Sequence, residues 1–493
     1  MLSSTDRTKA IRFGGHRLRP EDIHAVTTSW LDETIHDSPA IFCRALVDPG
    51  LPITVGTATR IMTPAQISGF RHTGPHRVRP RGLAGRQHTG DNWRIIGQRL
   101  EGWRLSVRIK SIEVIGFKSL VKLKLDLPKF CCLTGLNGSG KSTVLQFIDF
   151  AAQQVRGEID SWLRLRGWKN RDVLSKLTSA RVVTFRIALE QSNNHDLLWT
   201  ATFDPHSLMC VSETIQPTDT TAAQAADSPI LQVTNGRYRL SKRDEQAIEF
   251  KYQGSILSGL LDNKLPSALR EVKTFLRTTE SLDMLTPERL RERVREARGT
   301  LGIGGRNLSA FLADAAAPNI ADLTKTLRRA YPQLIDITVR SLRAGWKQLQ
   351  VTEKFGEKAI STEAQHINDG TLRLLAIFAE LASKHGFLVF DEIENGINPE
   401  LIEMVVKSLS TAPQQVLLTT HSPMILNYLD DQQAKESVIF LYRTRNGFTQ
   451  AKRLFEIPSL SEKLKVMGPG EAFADTDLQR LSEEITAIHP GEG

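Results

Sequence analysis

Residues 135–143 read Gly-Leu-Asn-Gly-Ser-Gly-Lys-Ser-Thr. The run follows Phe130-Cys131-Cys132-Leu133-Thr134, an apolar stretch of strand length, and Val144–Ala152 continue with helical spacing. Glycines let a backbone curl tightly enough to bring its N–H groups against phosphate oxygens. The helix that follows adds unpaired donors and the positive end of its dipole. In this context Lys141 carries charge to the outer phosphates and the Ser142 hydroxyl reaches a divalent cation. The pattern predicts a strand–loop–helix in which Gly135, Asn137, Gly138, Ser139, Gly140, Lys141, Ser142 and Thr143 cradle ATP with Mg²⁺. Cys131 and Cys132 read as buried strand residues, one facing each side.

Such a loop does not hydrolyse ATP by itself. A second strand must bring an acid to the metal and a base to the water. Phe387-Leu388-Val389-Phe390 suits a central parallel strand buried on both faces. Asp391 at its end is the expected metal ligand, with Ser142. Glu392 is the expected base. Just upstream, Asn368-Asp369-Gly370-Thr371-Leu372-Arg373 opens a helix through Leu374–Leu381, with Asn368 or Asp369 as its cap. Downstream, Glu394-Asn395-Gly396-Ile397-Asn398-Pro399 reads as a tight turn. Val416–Thr420 reads as another buried strand, ending in His421-Ser422-Pro423. A histidine at that strand end, 30 residues after Asp391, is placed to contact the terminal phosphate or the water.

Composition bounds the rest. The chain has 493 residues, 40% hydrophobic and 24% charged, which fits two to four folded domains. No apolar stretch is long enough to span a membrane. Four cysteines make no disulfide framework, and a cytoplasmic setting is expected. The net charge is +9, but residues 1–106 hold 15 Lys plus Arg against 9 Asp plus Glu, so two thirds of the excess lies there. That segment lacks sustained periodicity. Three readings stand open: a basic arm that touches nucleic acid, a small domain of unrecognised type, or sequence upstream of the true start. The arm and the early start are favoured, because Val107 opens what reads as the first strand of a domain and a valine codon can start a bacterial chain.

Together the loop at 135–143, Asn368–Arg373, the strand ending in Asp391-Glu392, the Glu-Asn-Gly turn and Thr420-His421-Ser422-Pro423 resemble the ABC-type ATPase superfamily, in its RecF-, SMC- and OLD-like branch. The resemblance covers about 107–458. It implies an α/β P-loop NTPase head with a mixed sheet, an antiparallel β lobe and a helical insertion; without sustained heptads, no long coiled coil is expected. It makes 107–240 the N-terminal ATPase lobe, 241–335 a helical insertion, 336–458 the C-terminal lobe and 459–493 a tail. Between the motifs, Ile230–Leu240 reads as a strand, 216–229 as a Thr/Ala-rich loop, and 256–327 as largely helical with a charged run at 287–298. By the same resemblance, Asn368 and Gly370 belong to a signature that meets the nucleotide of a second copy, although relatives usually carry Ser where Asn368 stands. Asn395–Asn398 match the D-loop, His421 the switch histidine, and Phe117-Lys118-Ser119 an element near the base and phosphates, which puts Lys118 at the nucleotide. The family's glutamine loop is left among Gln146, Gln153, Gln154 and Gln191.

The resemblance implies a homodimer or higher oligomer with ATP sandwiched between heads, and two classes of function. One is a nucleotide-gated sensor acting on a separate effector or nuclease subunit, as in anti-phage systems such as Septu and PARIS. The other is a RecF-like repair ATPase acting directly on DNA. Only 70 residues follow Pro423, too few for the Toprim nuclease domain of OLD proteins.

Overall fold

In the computed structural model, the described residues are 12–13, 16–17 and 107–488, apart from 193–195, 219–228, 242, 283–284, 297–298 and 315–318. The chain divides into two units, 1–86 and 87–493. In the first, Arg12–Phe13 pairs antiparallel with His16–Arg17; the rest of 1–106 lies outside the described residues.

The second unit is built on two large sheets. Strands β1 (Val107–Phe117), β2 (Leu120–Asp126), β4 (Val183–Gln191), β5 (Leu197–Asp204), β6 (Met209–Pro217), β7 (Leu231–Thr234), β8 (Arg237–Leu240) and β9 (Gln246–Ala247) form an antiparallel sheet in the order β9-β8-β7-β6-β5-β4-β1-β2. Strands β3 (Phe130–Thr134), β10 (Glu280–Leu282), β14 (Phe387–Phe390), β15 (Gln415–Thr419), β16 (Val438–Arg443) and β17 (Thr449–Arg453) form the other, in the order β10-β14-β15-β3-β16-β17. Its first five strands run parallel and β17 returns antiparallel. A third sheet joins β11 (Leu334–Ser341), β12 (Lys347–Phe355) and β13 (Lys358–Glu363).

Helix α1 (Lys141–Arg156) leaves β3, lies between the two large sheets and is followed by α2 (Ile159–Leu165). Its Phe147 and Phe150 pack on Phe117, Phe185 and Phe203 of the antiparallel sheet. The same core takes Cys131, Leu133, Val389 and Leu417 from one face of the parallel sheet. The opposite face sends Cys132, Leu388, Phe390 and Leu418 into a second core under α5 (Asp369–Leu381) and α6 (Pro399–Ser410). The parallel sheet is therefore covered on both sides, as its unbroken apolar strands require, and the two cysteines do face opposite sides. Buried Gln415 ties the sheets together: Ile109 N–H donates to its Oε1 at 2.9 Å, and its Nε2 donates to the Ile109 carbonyl at 2.7 Å.

The α/β architecture with its antiparallel lobe is as expected, and the longest helix among the described residues is the 16-residue α1. Several local expectations change. Ile230–Leu240, read as one strand, is a hairpin turning at Asn235 and Gly236, which both take positive φ; Asn-Gly is the sequence that fits this turn. Met209–Pro217 is a further strand, hidden in the sequence because the polar Glu213 takes one of its buried positions. The segment read as helical from 256 to 327 contains helix α3 (Ser267–Thr278), α4 (Ile320–Ala330) and shorter turns, but also β10, which forms the edge of the parallel sheet. Within the charged run, Glu292 pairs with Arg289 at 2.8 Å and with Arg306 at 3.7 Å, whereas Arg295 lies over the Trp346 ring. The Thr/Ala-rich loop falls mostly outside the described residues.

Candidate functional site

Parallel register brings three strand ends to one edge. Leu133 of β3 is level with Thr419 of β15, and Phe390 of β14 with Leu418. The segments that follow, Gly135–Gly140, Asp391-Glu392 and Thr420-His421, therefore emerge side by side at the carboxyl ends of the strands, where open α/β sheets bind ligands.

The glycine loop has the backbone it needs. Gly135, Gly138 and Gly140 all have positive φ. A Cβ on Gly135 would overlap the Leu441 carbonyl, and one on Gly140 would overlap the Thr449 side chain. Thr449 is fully buried; its N–H donates to the Ser119 carbonyl, and its hydroxyl lies 3.0 Å from the Ser139 carbonyl and 2.9 Å from Ser119 Oγ. Arg443 Nε donates to the Gly138 carbonyl at 2.5 Å. The β16–β17 hairpin thus holds the loop from behind. Lys141 Nζ donates to the carbonyls of Gly135 and Leu136 at 2.9 and 3.1 Å. Burial lowers its pKa to about 8, against the opposing charges of Asp391, Glu392 and Glu394. Ser142 is exposed in the first turn of α1, Thr143 is half-buried, and Asn137 is exposed in the loop. Thr134 Oγ1 and Ser139 Oγ are buried without a protein partner.

The acids are fixed from the neighbouring strand. Thr419 Oγ1 donates to Asp391 Oδ1 at 2.5 Å and accepts the Glu392 N–H at 2.8 Å. Glu392 has a left-handed backbone, φ 47°, a conformation that costs roughly 1–3 kcal/mol for a residue with a side chain and collects at functional sites. Its Oε2 accepts from Asn395 Nδ2, and its Oε1 is 3.9 Å from His421 Nε2. Burial, then the positive charge of Lys141, lowers the His421 pKa, while the three nearby carboxylates oppose the shift.

The Asn368–Arg373 stretch is linked to this cluster. Asn368 is the helix cap, its side-chain oxygen accepting the Thr371 N–H at 2.8 Å. Arg291 pairs with the adjacent Asp369 at 2.5 Å. A Cβ on Gly370 would come within 3.1 Å of the Gly396 carbonyl oxygen. Arg373 Nη1 donates to the Asn395 carbonyl. The path from Arg373 through Asn395 to Glu392 has no counterpart in motif spacing.

Lys118 also has a left-handed backbone, φ 47°, at the first turn position of the β1–β2 hairpin, where glycine is favoured. Its Nζ donates to Gln146 Oε1 at 3.0 Å and lies 3.0 Å from the Trp168 ring centroid. Of the four candidate glutamines, Gln146 alone is shown in contact with a named site residue. Gln153 bonds Asp149, Gln154 accepts from Cys210, and Gln191 donates to the Ala268 carbonyl.

Sequence reading gave no role to Thr419, Thr449, Trp168 or the turn residue Glu394, and placed Asn395 only in the D-loop. The Thr-Thr pair preceding His421 was a usable signal, since two hydroxyls at the exit of a buried strand need partners. Thr449 and Trp168 reach the site only through the fold.

The residues present fit a nucleoside triphosphate with a divalent cation. Gly135 and Gly140 leave no room for side chains, the backbone is curled, a lysine ammonium and a serine hydroxyl sit where the loop meets α1, and two hydroxyls in or beside the loop lack partners. In comparisons with known proteins, two family models match: "AAA domain" over 111–301, and "AAA domain, putative AbiEii toxin, Type IV TA system" over 243–427. No curated protein matches. Among solved structures, the Smc head bound to the C-winged helix domain of ScpA is 15% identical, with a TM-score of 0.45 over 73% of this chain and 99% of that one. The SMC head domain from Thermotoga maritima is 14% identical, with a TM-score of 0.38 over 70% and 99%.

Proposed function

We propose that this AAA-type domain is a Mg²⁺-dependent ATP hydrolase, and that ATP joins two copies of it head to tail to gate a separate effector subunit, in anti-phage defence. The observation that carries the hydrolase reading is the meeting of the glycine loop, Asp391, Glu392 and His421 at one edge of a parallel sheet.

In this reading Gly135–Thr143 and Lys118 hold ATP, and Ser142 and Asp391 hold Mg²⁺. The bound cation neutralises charge developing on the phosphates. Asn395 occupies one oxygen of Glu392, leaving Oε1 to take the proton of the attacking water. His421, neutral at pH 7 because its pKa is depressed, adds a hydrogen bond without adding charge. Asn368 and Gly370 meet the nucleotide of the second copy, and Arg373 relays that contact to Glu392 through Asn395. The match over 243–427 to a putative AbiEii toxin of a Type IV toxin–antitoxin system supports a place in a two-component system.

A RecF-like role directly on DNA is the second reading. It is favoured by exposed Arg295, which lies over the exposed Trp346 ring, and by exposed Arg340 and Arg343 on the β11–β12 hairpin that carries Trp346. Light scattering of Glu392→Gln with ATP and Mg²⁺ tests the dimer: a doubled mass supports it, and an ATP-independent monomer refutes it. Co-purification from the native cell, yielding either a protein subunit or DNA, separates the two readings.

A further inference from the structure

Glu394 lies three residues past Asp391, and three side-chain hydrogen bonds tie it to the switch segment. Its Oε1 accepts from Thr420 Oγ1 at 2.9 Å, from His421 N–H at 2.9 Å and from Ser422 N–H at 3.1 Å. Strand β15 ends at Thr419, and the last main-chain bond it shares with β3 is Thr420 N–H to the Leu133 carbonyl, 3.0 Å. Beyond that point the ladder stops. One carboxylate oxygen then takes the place of a neighbouring strand for the His421 N–H, and shares the Ser422 N–H with Thr420 Oγ1, 2.9 Å away. The other oxygen, Oε2, is buried with no protein partner.

Glu394 is itself firmly seated. The turn closes with Asn395 N–H on the Glu392 carbonyl, 3.0 Å, and Ile397 N–H on the Glu394 carbonyl, 3.2 Å. Ile393 and Ile397 on either side are buried in the core under α5 and α6. Two threonine–acid contacts therefore join the two strand exits, Thr419 to Asp391 and Thr420 to Glu394, and Glu392 lies between them in sequence.

We propose that Glu394 is a positioning residue that fixes the backbone of His421, and so the distance of the imidazole from Glu392, without touching nucleotide. The turn it belongs to is also the one Arg373 grips at the Asn395 carbonyl, so a movement of α5 that shifts the turn shifts the histidine with it. This rests on His421 and Glu392 acting as the catalytic pair.

The test compares the full-length parent, Glu394→Gln and Glu394→Ala. The readouts are ATP turnover, affinity for a fluorescent ATP analogue, and amide hydrogen exchange across 420–422. The alanine variant should lose about 100-fold in kcat, the scale of an active-site misplacement near 1 Å, with ATP affinity within about threefold of the parent and faster exchange at His421 and Ser422. Glutamine keeps an acceptor oxygen, so it should recover most of kcat. Parent-like kcat in the alanine variant overturns the proposal, as does a loss of affinity equal to the loss of kcat. Failure of glutamine to recover activity while it restores slow exchange also overturns it. If the parent does not hydrolyse ATP, the hydrolase reading is what fails, and exchange at His421 and Ser422 still decides whether Glu394 holds that backbone.

Discussion

Thr419 and Asp391 share a hydrogen bond of 2.5 Å, and the same threonine hydroxyl accepts the N–H of Glu392. One side chain on β15 thus orients the proposed metal ligand and holds the strained backbone of the proposed base. Thr419→Val keeps the shape and removes the hydroxyl. It leaves the Glu392 N–H without this partner, a loss of about 1–3 kcal/mol, and frees Asp391 to rotate. The expected result is a kcat about 100-fold lower and a higher Mg²⁺ requirement, measured by steady-state turnover over a Mg²⁺ series. An unchanged Mg²⁺ requirement contradicts this role.

Asp149, on the buried side of α1, accepts from Trp162 Nε1 at 2.6 Å and Arg166 Nη2 at 2.7 Å. The Arg166 guanidinium lies over the rings of Trp162 and Trp168, and Trp168 carries Lys118. This pair is almost wholly buried, and breaking such a pair costs about 3–5 kcal/mol. Urea unfolding of Asp149→Ala should show a loss on that scale. A change below about 1 kcal/mol would mean that the pair does little for the fold.

His421 has a depressed pKa, chiefly from burial. A base with a lowered folded pKa holds its proton less tightly in the native state, so the ring is neutral at pH 7 and charges only below the ordinary value of about 6.5. Protonation there costs stability as pH falls. Ring resonances of His421 followed by NMR should titrate below pH 6.5; a midpoint at or above it contradicts the stated environment.

Much of this molecule could be read from local pattern, and the reasons are physical. The glycine loop, Phe387–Asp391 and the strand ending before His421 are short-range signals, because backbone curvature and burial on both faces dictate residue types directly. The β10 edge strand was not legible: its pairing partners Leu388–Phe390 lie more than 100 residues away, and three residues carry no period. The contacts that orient the acids were equally hidden, since Thr419, Asn395 and Arg373 meet them through register and turn geometry. The basic balance of the whole chain located nothing, because most of the excess lies in 1–106.

The central claim is that Glu392 takes the proton of the attacking water. Glu392→Gln keeps an acceptor for Asn395 and the N–H to Thr419 but cannot act as a base at neutral pH. Single-turnover hydrolysis of Mg²⁺-ATP, with ATP affinity measured on the same protein, tests it most directly. The account predicts affinity within about threefold of the parent and hydrolysis slowed by 10²–10⁴-fold. Hydrolysis at the parental rate in Glu392→Gln would contradict it.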